Sequence, residues 1–132
     1  MARILVIDDD ILVRFIAKAI LEREGHAVVL AEGGHEGAHA IEAYAFDLAI
    51  VDIFMPDMAG LETIKVFHQS APHLPIIVIS DYAFRDASEP APDFYRMAVD
   101  LGAVACLRKP FTPAQLLDAV RACHGAADSK VA

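Results

Sequence analysis

Five short runs of mostly aliphatic residues alternate along the chain with stretches whose apolar residues recur at helical spacing. The runs are Ile4–Ile7, Ala27–Ala31, Leu48–Ile53, Ile76–Ile79 and Ala103–Leu107. A strand with one face in water alternates polar and apolar residues, and these runs do not. They suit strands buried on both faces, the condition of a parallel sheet covered by helices on each side. The helical stretches are Ile11–Arg23, His35–Ala45, Leu61–Gln69, Asp93–Leu101 and a last one from Pro113 to about His124. In the first of them Ile11, Phe15, Ala19 and Leu21, with Val13, Ile16 and Ile20 beside them, supply the apolar positions. Asp10 and Thr112 stand where N-caps belong, Pro113 suits a first helical position, and Gly25 suits the left-handed residue that ends a helix. Alternation of this kind implies an α/β domain built on a parallel sheet.

At 132 residues the chain has room for one domain with one sizeable core. Residues 1–124 are expected to form it, and 125–132 to form a flexible C-terminal tail. The net charge of −8 opposes binding to phosphate backbones, so no direct nucleic-acid contact is expected. The longest apolar runs fall well short of the roughly 20 residues of a membrane span, and no leader pattern opens the chain. A cytoplasmic location with no membrane contact is therefore expected. Cys106 and Cys123 match no metal or redox spacing. His35 and His39 share a helix face, but no third ligand accompanies them, and they read as solvent-facing.

In an open parallel sheet, sites form beyond the carboxyl ends of the strands. The polar residues at those ends form a chemically coherent set. Asp8 and Asp9 follow the first strand, Asp52 lies near the end of the third, Ser80 ends the fourth, and Lys109 follows the fifth. Three converging carboxylates repel unless a cation sits among them. Oxygen donors of this kind favour Mg²⁺. A metal and an ammonium flanking a carboxylate can stabilise the charge on a transferring phosphoryl group, which leaves Asp52 the role of nucleophile. Each residue alone has a duller reading: aspartates cap helices, serines end strands, and lysines lie on surfaces. Asp10 is expected to be such a cap.

These residues carry a family resemblance. Ile4-Leu5-Val6-Ile7-Asp8-Asp9-Asp10, Asp52-Ile53-Phe54-Met55-Pro56-Asp57-Met58-Ala59-Gly60, Ile77-Val78-Ile79-Ser80 and Lys109-Pro110-Phe111 occur in order over about residues 2–124. The chain thereby resembles the receiver domain of two-component response regulators. The resemblance implies a flavodoxin-like (βα)5 fold, doubly wound, with a five-stranded sheet in the order 2-1-3-4-5. It implies Asp52 as phosphoacceptor, and Mg²⁺ held by Asp8, Asp9, Asp52 and the backbone carbonyl of Phe54. Ser80 is implied as the switch hydroxyl, Lys109 as a phosphoryl contact, and the Lys109-Pro110 bond as cis. The implied donor is a histidine kinase or histidine phosphotransfer protein. The implied output is a protein partner, not identifiable from sequence, read through the surface of the fourth helix and fifth strand. A homodimer is left open. Such a chain is not an enzyme with turnover: it promotes its own phosphorylation and slow dephosphorylation.

Three positions depart from the family pattern. Cys106 stands where an aromatic usually swings inward, and Tyr82 is a candidate substitute. Asp81 puts a carboxylate beside Ser80, where a small residue is usual. Phe54 is bulky and apolar two residues after the acceptor, which suits shielding an acyl phosphate from water. The stretch 81–92 is also longer than usual, which fits either an altered partner surface or simple loop drift. The alternative to a phosphorylated switch is a binding module that uses the fold without phosphate. An aspartyl-phosphate phosphatase would carry a second aspartate at position 54. A flavodoxin would not place Asp8-Asp9-Asp10 against a phosphate.

Overall fold

Each aliphatic run forms a strand and each strand is followed by a helix: β1 Arg3–Ile7, α1 Ile11–Arg23, β2 Ala27–Ala31, α2 Gly34–Ala43, β3 Leu48–Asp52, α3 Gly60–Ser70, β4 Ile76–Asp81, α4 Phe94–Asp100, β5 Ala103–Lys109 and α5 Pro113–Val131. The structure, a computed structural model, describes residues 1–53, 60–81 and 94–131, and of residues 60, 81, 94, 95, 97 and 124–131 the backbone alone. Phe54, Tyr82 and nearly all of the long stretch 81–92 therefore lie outside the described residues, as does the side chain of Asp81.

All strand pairs are parallel and the order is β2-β1-β3-β4-β5, the expected flavodoxin-like arrangement. Side chains alternate across a strand, so each run feeds two cores. Leu5, Ile7, Ala49, Val51, Ile76 and Val78 meet Ile64 and Phe67 of α3 and Ala98 of α4. Ile4, Val6, Ile50, Ile77 and Ile79 meet Ala17, Ile20 and Leu21 of α1 and Leu116 and Val120 of α5. β3, at the centre, is buried at every position.

The helix ends follow the expected chemistry. The Asp10 side chain accepts from the Leu12 N–H, and the Thr112 hydroxyl accepts from the Gln115 N–H. Gly25 takes φ 87° just past α1, where no Cβ is tolerated cheaply. The phase of α1 differs from expectation. Ile11, Leu12, Phe15 and Ile16 are exposed, while Arg14, Ala17, Ile20 and Leu21 are buried. The first two turns are apolar nearly all round, so spacing alone could not select the inward stripe. His35 and His39 are exposed on α2.

Some element ends also moved. β4 runs on through Ser80 to Asp81 because the ladder continues, Ser80 beside Arg108 and Asp81 beside Lys109. Ile76 pairs with Ala103 and Ile77 with Ala105, so Val104 is an extra residue in β5, and its side chain is 58% exposed. Helix α5 continues past His124 to Val131. The residues there, apart from Gly125, do not oppose a helix strongly.

Gly37 makes α2's seat on the sheet possible. A Cβ there would fall 2.4 Å from Ile7 Cδ1 and 3.0 Å from Phe67 Cζ, both side chains fully buried. Gly37→Ala is expected to lower unfolding stability by roughly 1–3 kcal/mol through overpacking, although Ala is the better helix former. Urea denaturation checks this, and a stabilised variant would show that the contact yields.

Candidate functional site

Strand order brings the predicted residues together. Ile7 lies in register with Val51 across β1 and β3, which sets Asp8 beside Asp52 at the carboxyl edge of the sheet. Asp52 pairs with Ile79, one residue before Ser80, and the Ile53 N–H donates to the Ile79 carbonyl at 3.0 Å. Lys109 ends β5 at the same edge. Asp8, Asp52 and Ser80 are buried, whereas Asp9 is exposed at the mouth of the cluster. The Lys109–Pro110 peptide bond is cis.

Lys109 reaches back across the edge. Its Nζ donates to Asp52 Oδ2 at 3.2 Å and lies 2.7 Å from Asp8 Oδ2. The second approach is the shorter, and it makes Lys109 the ion-pair partner of the buried Asp8 Oδ2. The other Asp8 oxygen accepts from the Asp10 N–H at 2.9 Å. Burial holds the Asp8 carboxyl above the usual carboxylate range, and Lys109 and the Asp10 N–H pull it back only part of the way. Burial alone would lower the Lys109 ammonium, but Asp8 and Asp52 more than offset it, and the net shift is upward. One ammonium thus does not compensate the buried carboxylates fully.

Asp8, Asp9 and Asp52 each offer an oxygen, and these oxygens lie within 4.8 Å of one another. With two of the three carboxylates buried and one ammonium shared between those two, the set fits a small hard cation. The Phe54 carbonyl, expected as a further donor, lies outside the described residues. A cleft of about 650 Å³ opens at the opposite, amino end of the strands, lined by Tyr44, Phe46, Leu74 and Cys123 among others, and it shares no residue with the aspartate cluster.

A sequence model of the response regulator receiver domain matches residues 4–121. The chain belongs to this family. Among curated relatives, the response regulator MprA of Mycolicibacterium vanbaalenii is 36% identical over 121 residues, covering 91% of this chain and 49% of that protein. The sensory/regulatory protein RpfC of Xanthomonas campestris pv. campestris is 32% identical over 120 residues, covering 88% of this chain and 16% of that protein. This receiver thus spans about half or less of the length of these relatives. A CheY-like receiver domain protein from Methanospirillum hungatei JF-1 superposes with a TM-score of 0.88 at 30% identity, covering 98% of each chain. CheY4 of Vibrio cholerae superposes at 0.80 with 30% identity, over 93% of this chain and 98% of that one.

Cys106 is half-buried on β5 and packs against the core under α3 and α4. It is too small to fill the place of an aromatic that moves between an inward and an outward position. Sequence reasoning missed Arg14, a buried residue of α1 whose Nη1 donates to the Asp8 carbonyl at 2.7 Å. A charged side chain three residues before Ala17 and seven before Leu21 was the available signal.

Proposed function

We propose that this receiver takes a phosphoryl group onto Asp52 from the phosphohistidine of a histidine kinase or phosphotransfer protein. The observation that carries the reading is the buried Asp52 carboxylate, hydrogen-bonded to Lys109 and within reach of the Asp8 and Asp9 oxygens. A carboxylate oxygen of Asp52 forms the new bond to phosphorus as the phosphorus–nitrogen bond of the donor breaks. The bonding pair leaves with the imidazole, which takes a proton. Lys109 places an ammonium where charge gathers on the phosphoryl oxygens, and the Ser80 hydroxyl is the group that closes on them. Asp8, Asp9 and Asp52, with the Phe54 carbonyl, would hold Mg²⁺. When bound, Mg²⁺ supplies the positive charge that offsets repulsion between these carboxylates and the phosphoryl oxygens.

Protein donors suit the surroundings. The exposed Ile11, Leu12, Phe15 and Ile16 form an apolar face on α1 that begins directly after Asp8-Asp9-Asp10. Output runs through α4 and β5, where Val99 and Val104 are exposed. Among the described residues no helix is long and apolar enough to cross a membrane, in keeping with work in the cytoplasm. The chain is a switch without turnover of its own. Cys106 favours a second reading, a binding module that never takes phosphate.

A small acyl phosphate with Mg²⁺, followed by intact mass, separates these readings. The expected result is a gain of one phosphoryl group. A folded chain with no gain leaves the binding module. Inorganic phosphate released over many turnovers would instead make the chain a phosphatase.

A further inference from the structure

Arg14 is buried on the inward stripe of α1 with Ala17, Ile20 and Leu21, an expensive place for a guanidinium. Its contacts are few for that cost. Nη1 donates to the Asp8 carbonyl at 2.7 Å, and Nη2 lies 3.8 Å from Glu32 Oε1, a side chain that is 75% exposed. A pair at that distance with one partner in water contributes little. The short bond to Asp8 is therefore the contact that matters. Asp8 lies just past the end of β1, where its carbonyl is buried and has left the ladder. Its N–H donates to the Ala31 carbonyl at 3.2 Å, and one carboxylate oxygen accepts from the Asp10 N–H. With Arg14 on the carbonyl, the backbone of Asp8 is held from both sides. The other carboxylate oxygen, Oδ2, faces the Lys109 ammonium at 2.7 Å and the aspartate cluster.

We propose that Arg14 is a positioning residue: by holding the Asp8 carbonyl, it fixes the Asp8–Asp9 turn in the conformation that presents both carboxylates to a cation. The proposal rests on the reading of Asp8 and Asp9 as cation ligands. Groups that orient metal ligands commonly cost 10–100-fold in affinity when removed, and Arg14 belongs among them.

The test is calorimetric titration of Mg²⁺ into wild type, Arg14→Met, Arg14→Lys and Glu32→Gln, beside phosphorylation rates from a small donor and amide exchange of Asp9 and Asp10 in metal-free protein. Arg14→Met is expected to weaken Mg²⁺ binding about tenfold, to speed exchange at Asp9 and Asp10, and to leave the rate at saturating Mg²⁺ within about twofold of wild type. Arg14→Lys, which keeps a cationic donor without the planar fork, is expected to recover part of the affinity. Glu32→Gln is expected to change it less than about twofold. Normal affinity in folded Arg14→Met, or tighter binding from the loss of a nearby positive charge, overturns the proposal. Should Arg14→Met not fold, Arg14→Lys decides: weakened affinity with a normal saturating rate supports the proposal, and wild-type affinity overturns it. A wild type that takes up no Mg²⁺ removes the cation-site reading itself, an outcome distinct from either.

Discussion

Asp52→Asn is expected to abolish phosphoryl uptake, a loss of at least about a thousandfold in rate, equivalent to roughly 4 kcal/mol or more of barrier. The amide has no anionic oxygen to attack phosphorus. Asp8 is fully buried, with one oxygen on the Asp10 N–H and the other against Lys109. The Ser80 hydroxyl is buried near the end of β4 and, as a neutral hydroxyl, is a weak nucleophile. Among the described residues, Asp9 is exposed and carries a carboxylate, so it is the nearby competitor. The fold is expected to survive, because the exchange removes one of three mutually repelling charges and Lys109 keeps its contact with Asp8. Intact mass after incubation with a small donor and Mg²⁺ reads the result, with thermal unfolding as the control for folding. A phosphoryl group retained by Asp52→Asn would move the acceptor elsewhere, and peptide mapping would show whether Asp9 took it.

The parts of this site that a reader of the sequence could find are those carried by position along the chain. In a parallel sheet every strand delivers its carboxyl end to the same edge, so Asp8, Asp52, Ser80 and Lys109 could be gathered once the runs were recognised as strands. Asp10 and Gly25 were legible for a local reason: capping and left-handed backbone depend on the residue and its nearest neighbours. What stayed hidden depends on lateral packing. The inward stripe of α1 was misphased because Ile11, Leu12, Phe15 and Ile16 are as apolar as the residues that are buried. Arg14 is hidden for the same reason, since a helix apolar nearly all round gives no cue to which of its residues turns inward. The end of β4 was misplaced because its length is set by a partner: Ser80 and Asp81 remain in the sheet as long as β5 runs beside them to Lys109. The tight seat of Gly37 on Ile7 and Phe67 is a contact between residues far apart in sequence, and no spacing rule reports it.

Lys109→Met is expected to harm the metal-free protein and the reaction separately. The ammonium side chain is 15% exposed and touches two buried carboxylates, at 2.7 Å for Asp8 and 3.2 Å for Asp52. Removing one partner of a buried pair leaves uncompensated charge, which costs on the order of 3–5 kcal/mol. The low end, roughly 3 kcal/mol, is the better estimate here because Asp8 is already held above the usual carboxylate range by burial and can escape by taking a proton. That escape gives the loss a pH dependence. In wild type the raised ammonium means that the pairing stabilises the fold below its ordinary pKa near 10.5 and is lost as pH rises through the higher folded value. For Asp8 the sign is opposite to that of a paired surface aspartate. The folded state holds the proton more tightly than the unfolded one, so the charged carboxyl costs stability above the raised carboxylate range and the cost disappears on acidification. Without Lys109, burial raises Asp8 further. The stability difference between wild type and Lys109→Met should therefore be full at neutral pH and shrink as pH falls into the raised carboxylate range. It should also shrink when Mg²⁺ is added, since the cation replaces the missing positive charge and binds the variant more tightly than wild type; well above both dissociation constants the difference falls by about 1.4 kcal/mol for each tenfold ratio between them. The reaction should not recover with it. Loss of a charge-stabilising donor costs about 10²–10³ in rate. Urea denaturation across pH, with and without Mg²⁺, and phosphorylation rates at saturating Mg²⁺ separate the two losses. A rate restored together with stability would mean that Lys109 serves the fold alone, and the phosphoryl contact would then have to come from another residue.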